Sequence, residues 1–190
     1  MFDKTLARIA ASLESASIPY MIIGGQAVLL YGEPRLTRDI DITLGINIDR
    51  LEALQAVVQH LSLKSLPEDA AAFVRQTMVL PTLDEATGIR VDFIFSFTPY
   101  ESQAILRAKK VNILDQDVCF AAVEDLIIHK IFAGRPRDIE DVQTVILKNT
   151  AIDIPYIEEW LNAFEAVSDE KNFLATFREI AGGSRRGGVP

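Results

Sequence analysis

Two carboxylates, Asp39 and Asp41, stand two positions apart in the run Thr37-Arg38-Asp39-Ile40-Asp41-Ile42. Successive side chains of a strand point to opposite faces, so the aspartates share one face and Ile40 and Ile42 share the other. Aspartate is depleted in strands, and two like charges on one face repel unless cations hold them. The arrangement suits Mg²⁺ or Mn²⁺ gripped from two sides, as phosphoryl and nucleotidyl transfer require. A third acid, Asp92, is alone in the apolar run Arg90-Val91-Asp92-Phe93-Ile94-Phe95. A carboxylate so flanked needs a partner if it is buried. Either Arg90 or another cation pairs with it, or it completes the metal site and accepts the proton of an attacking hydroxyl.

Upstream lies Ile22-Ile23-Gly24-Gly25-Gln26-Ala27, a strand ending in two glycines with a helix starting at once. Glycines allow close backbone approach, and the N–H groups at a helix start attract phosphate. Any strand–turn–helix can carry a glycine pair, so this element gains meaning only beside the acids. Lys130, in Glu124-Asp125-Leu126-Ile127-Ile128-His129-Lys130-Ile131, shares a helical stripe with Leu126, Ile127 and Ile131. It either snorkels or brings its ammonium into a cleft to balance triphosphate charge. Asp138 and Asp141 follow in Arg135-Pro136-Arg137-Asp138-Ile139-Glu140-Asp141. They favour a helix N-terminus through its dipole, or else support catalysis. His60 and His129 are the only histidines and have no thiolates spaced to join them, so neither a zinc centre nor a serine-hydrolase triad is supported.

These residues need elements to position them. Apolar spacing predicts a helix over 3–16, a strand over 19–23, a short helix over 26–31, a strand over 38–43 and a helix from Asp49. Residues 71–80 read as a strand, paired as a hairpin with 89–95 across a turn at 84–88. A helix over 98–109 and short extended pieces at 111–114 and 118–120 follow. Beyond Val123 helical patterns dominate, at 123–133, 137–148, 154–167 and 169–181. The expectation is an α/β (α+β) protein: a mixed sheet flanked by helices over 1–121, a helical bundle over 122–181 and a flexible Gly- and Arg-rich tail over 182–190.

Composition narrows the classes. The 190 residues are 49% hydrophobic and 24% charged, as in globular chains. No apolar run approaches the ~20 residues of a membrane span, and the N-terminus lacks a basic-then-apolar signal. The single Cys119 excludes an internal disulfide and suits a reducing cytoplasm. A net charge of −8 gives no bulk attraction to nucleic acid, so RNA would need a local basic patch, such as Arg35 with Arg38, Arg107 with Lys109 and Lys110, or Lys130 with Arg135 and Arg137.

Taken together, Gly24-Gly25, Asp39-Ile40-Asp41 and Asp92 resemble the nucleotidyltransferase superfamily that includes DNA polymerase beta, tRNA nucleotidyltransferases and antibiotic nucleotidyltransferases. The likeness spans residues 18–95, with Gly25 where many members carry serine. A narrower likeness over 20–145, adding Glu124-Asp125-Leu126, Lys130 and the run 135–141, is to the AbiEii/AbiGii-type toxin nucleotidyltransferases. It implies transfer of a nucleotide from an NTP such as ATP to a hydroxyl, with pyrophosphate released. Asp39 and Asp41 would hold two Mg²⁺ ions about 3.5–4 Å apart. Asp92 would bind the catalytic metal and orient or deprotonate the acceptor. Gly24 and Gly25 would cradle the β- and γ-phosphates, Arg35 or Arg38 would touch the triphosphate, and Lys130 would neutralise the leaving group. The family's later aspartate maps to Asp138 or Asp141. The likeness further implies an RNA acceptor such as the tRNA 3′ end and an antitoxin partner. Two rivals stand beside it: a small-molecule antibiotic acceptor, and a non-catalytic nucleotide-binding or partner-regulating protein on the same fold.

Overall fold

The computed structural model describes residues 1–96, 98–168 and 172–186. They divide into two compact units, one of residues 1–26 and 36–121, the other of 27–35 and 122–190. The segment 27–35 thus belongs with the C-terminal helices although it precedes the strand of paired aspartates.

The first unit is built on seven strands: β1 (Tyr20–Ile23), β2 (Asp39–Leu44), β3 (Lys64–Ser65), β4 (Val79–Asp84), β5 (Ile89–Phe95), β6 (Lys109–Ile113) and β7 (Gln116–Phe120). They form one mixed sheet in the order β3-β4-β5-β2-β1-β7-β6. The pairs β2–β5 and β1–β7 are parallel and the others antiparallel. Its helices are α1 (Phe2–Ser15), α3 (Leu51–His60), α4 (Ala70–Thr77) and α5 (Pro99–Arg107), with the first residues of α2 (Gly24–Tyr31). In α1 the stripe Leu6, Ile9, Ala10 and Leu13 is buried, the spacing of one helical face. In β2 and β5 the alternate residues Ile40, Ile42, Val91, Phe93 and Phe95 are core, at 2% exposure or less. Removing that apolar area from water is the main drive for the unit. Their polar neighbours are thereby committed to the opposite face.

One expected element is overturned. Residues 71–80 do not form a strand: 70–77 are the helix α4, and the hairpin partner of β5 begins only at Val79. Asp69 caps this helix, its Oδ1 accepting the N–H of Ala72 at 2.8 Å, and three alanines follow. A capped alanine run favours helix over the strand expected there. Met78 ends the helix in the left-handed region (φ 60°), and the chain then turns into β4.

The second unit contains α6 (Val123–Ala133), α7 (Pro136–Lys148), α8 (Ile154–Glu165) and α9 (Phe173–Arg186). The glycine- and arginine-rich end enters α9, which continues past Gly182 and Gly183 to Arg186, because a nucleated helix gains a hydrogen bond with each residue added. Residues 169–171 and 187–190 of the expected last helix and tail lie outside the described residues. Polar pins join these helices. The Tyr156 hydroxyl donates to Oδ1 of the fully buried Asp125 at 2.8 Å, and the Asp153 N–H donates to Glu124 Oε1 at 3.2 Å.

His129 on α6 gives this unit a pH dependence. Desolvation lowers its imidazole pKa from 6.5 to about 4, and the neighbouring Lys130 charge adds to the effect. The unfolded chain therefore binds the extra proton between about pH 6.5 and 4, so stability is complete above 6.5 and falls as the pH drops through that window. About 2–3 kcal/mol should be lost. Urea midpoints measured from pH 7.5 to 4 check this: His129→Gln should flatten the slope in the window, and an unchanged slope would refute the assignment.

Candidate active site

The paired aspartates owe their placement to strand register. Asp39 is exposed and Asp41 half-buried on β2, while Ile40 between them is fully buried. On parallel β5, Asp92 lies directly beside Asp41, and Arg90 beside Asp39. Residues in register on adjacent strands share a face, so Asp39, Asp41 and Asp92 are brought to one face of the sheet. Sequence alternation identifies the face of each strand, but only the pairing of β2 with β5 makes the third acid a neighbour of the first two.

The glycine turn reaches the same place. Ile23, the last residue of β1, pairs with Asp41, and Gly24 follows with φ +63°. A Cβ on Gly24 would stand 1.9 Å from Asp41 Oδ2. Glycine is required here twice over, by the left-handed backbone and by the carboxylate packed against it. Next to the pair, Gln26 is 6% exposed and its side-chain Nε2 has no hydrogen-bond partner. A buried donor without an acceptor is destabilising, and such a group marks a place where a ligand can supply one.

Arg90 occupies part of the acidic face. Its Nε donates to Asp92 Oδ1 at 2.7 Å, with the Arg90 side chain about half exposed. This hydrogen bond, followed by the charges of Asp92, Asp39 and Asp41, holds the guanidinium pKa above its ordinary value. Among the described residues no three His, Cys, Asp or Glu side chains are gathered as a ready metal cluster. The donor set nonetheless fits a hard divalent cation: carboxylate oxygens on rigid strands, on one face, beside a glycine turn.

Lys130, Asp138, Asp141 and Arg35 form a constellation within the second unit. Lys130 Nζ donates to Asp138 Oδ1 at 2.6 Å and lies 2.9 Å from Asp141 Oδ2. Arg35 Nη2 donates to Asp141 Oδ2 at 3.1 Å, with Nε 3.0 Å from Oδ1. Lys130, Asp138 and Asp141 are all buried. Two cations and two anions balance each other here, and the lysine head engages carboxylates of α7. Arg38 belongs to the first unit, where its backbone N–H donates to Asp39 Oδ1 at 3.1 Å.

A glycine turn, paired strand aspartates and a third aspartate in register on the neighbouring strand thus meet on one polar face of the mixed sheet. In sequence, residues 2–180 fit the family described as nucleotidyltransferase of unknown function (DUF6036), and the chain belongs to that family. No curated protein matches it by sequence. Among solved structures it is similar to the antibiotic-resistance factor ANT(2″)-Ia in solution, at 18% identity and TM-score 0.58, covering 87% of this chain and 91% of that one. The crystal structure of ANT(2″)-Ia in complex with adenylyl-2″-tobramycin gives 20% identity and TM-score 0.56, over 87% and 97% of the two chains. An antigenic nucleotidyltransferase-like protein from Paracoccidioides brasiliensis gives 16% and 0.56, over 93% and 91%. At these identities the likeness establishes the shared fold.

Proposed function

We propose that this chain transfers a nucleoside monophosphate from an NTP, such as ATP, to a hydroxyl acceptor, with Asp39, Asp41 and Asp92 as the catalytic carboxylates. The observation that carries the reading is the in-register pairing of Asp41 with Asp92 beside the Gly24 turn. In the reaction the acceptor oxygen bonds to the α-phosphorus, the bond from that phosphorus to the pyrophosphate oxygen breaks, and the hydroxyl proton passes to Asp92. The backbone at Gly24 and Gly25 accommodates the β- and γ-phosphates at the start of α2. Asp39, Asp41 and Asp92 would hold Mg²⁺ or Mn²⁺, which would supply charge neutralisation at the transferring phosphoryl group. Arg38, exposed just before β2, and Arg35 are the candidate contacts for triphosphate charge that the resemblance implies. Lys130 is held by Asp138 and Asp141, which with Arg35 clasp the second unit, and we retain it as the cation that would neutralise the leaving group, as the resemblance implies.

For the acceptor, the AbiEii/AbiGii-type resemblance supports RNA, such as a tRNA 3′ end, and with it a toxin role and an antitoxin partner. The net charge of −8 and the fold shared with ANT(2″)-Ia, solved with adenylyl-2″-tobramycin, favour a small cationic acceptor as the second reading. Incubation with each α-³²P-labelled NTP, Mg²⁺ or Mn²⁺, and in turn cellular RNA, aminoglycosides or lincosamides, and cell protein separates these. Label on RNA supports the first reading and label on the small molecule the second. An NTP that binds without divalent metal and is never consumed would overturn enzymatic transfer.

A further inference from the structure

We infer that Arg90 is a built-in counter-cation that holds Asp92 in the metal-free protein and must release it before the three carboxylates can close on a divalent ion. The inference rests on the proposed site and adds a residue that sets how readily the site takes metal.

Three observations support it. Arg90 is two residues before Asp92 on the same strand, so both side chains project from one face, and its Nε sits 2.7 Å from Asp92 Oδ1. Arg90 is also in register with Asp39 across the β2–β5 pair. Its guanidinium therefore has Asp92 on its own strand and Asp39 on the next, with Asp41 one pleat further along that face. A single cation among three carboxylates occupies the electrostatic position that a divalent ion would take, since like charges gathered on one sheet face must be balanced. Secondly, the carboxylates are not closed into a three-ligand cluster among the described residues, and the acid that carries the guanidinium is the one on the second strand. Thirdly, the Arg90 side chain is about half exposed, whereas that of Asp92 is 17% exposed. The guanidinium can swing into solvent without disturbing the core, while the carboxylate stays where β5 puts it.

A cation that must leave competes with the one that arrives, and removing the competitor raises the newcomer's apparent affinity. With Mn²⁺ alone as probe and free Mn²⁺ followed by electron paramagnetic resonance, Arg90→Met in the full chain should bind Mn²⁺ about tenfold more tightly than the parent, a change equivalent to about 1.4 kcal/mol. Arg90→Lys, which keeps the charge and loses the planar fork, should fall between them. The metal-free Arg90→Met protein should melt lower than the parent and gain more on adding Mn²⁺. A merely structural arginine would instead leave Mn²⁺ binding unchanged or weaken it in both variants, and either result overturns the inference. Should Arg90→Met misfold, the comparison of Arg90→Lys with the parent decides alone. The two proposals fail separately. Nucleotide transfer with Mn²⁺ affinity indifferent to Arg90 removes the counter-cation and leaves the enzyme. Tightened Mn²⁺ binding with no transfer from any NTP leaves the counter-cation and removes the enzyme. Absence of Mn²⁺ binding in all three proteins overturns the counter-cation outright.

Discussion

Asparagine at both Asp39 and Asp41 is expected to reduce nucleotidyl transfer by about a thousandfold or more, a loss of roughly 4 kcal/mol in transition-state stabilisation. The double change removes both acids of β2 and leaves Asp92 with Arg90, a neutral pair unable to grip a divalent ion from two sides. It keeps shape and volume, so the packing of Asp41 against Gly24 survives. It also removes like-charge repulsion on one strand face, so thermal stability should hold or rise. Loss of transfer with stability retained is therefore the signature, read from labelled product in a time course alongside a melting curve. Transfer that persists in the double variant would reject these residues as the catalytic acids.

The second large effect falls on stability. Lys130→Met should lower the unfolding free energy by about 3 kcal/mol, or roughly 6–12 °C in melting temperature. Both Lys130 and its partners are buried, and removing one member of a buried pair strands the other's charge. Asp141 keeps Arg35 through two contacts near 3 Å. Asp138 has only the lysine on Oδ1, and its Oδ2 is already buried without a partner. The stranded charge is therefore that of Asp138, and Lys130→Met with Asp138→Asn should recover a large part of the loss. A Lys130→Met protein that melts within about 2 °C of the parent would mean the pair is solvated and the clasp unimportant.

How much of this was legible depends on the range of the interactions. The faces of β2 and β5 could be read directly, because Ile40, Ile42, Val91, Phe93 and Phe95 recur at the two-residue period of a strand, opposite Asp39, Asp41, Arg90 and Asp92, with Ile94 the apolar member of the second face. The glycine turn could be located from Gly24-Gly25, but not the reason for it: the clash is with Asp41, which only the β1–β2 pairing brings alongside. Register between β2 and β5 is non-local and has no sequence signal, so Asp92 could be offered as a third carboxylate from its isolation in an apolar strand, with pairing to Arg90 as the alternative, but its place beside Asp41 could not be read. The Arg90–Asp92 pair was visible as one of two alternatives, since residues two apart on a strand share a face. The helix at 70–77 has a local signal, Asp69 as its cap followed by three alanines, that the strand expected over 71–80 leaves out. Lys130 was recognised as an odd residue on an apolar stripe, yet its partners lie on the next helix. Arg35, which completes the clasp, is 106 positions from Asp141.

The most direct test is a crystal structure of the protein with Mn²⁺ and a non-hydrolysable NTP, the ion located by its anomalous scattering. The account predicts manganese bound by oxygens of Asp39, Asp41 and Asp92, the triphosphate against Gly24 and Gly25, and Arg90 swung off Asp92. Manganese held elsewhere, with Arg90 still on Asp92 and the nucleotide away from the glycine turn, would contradict it.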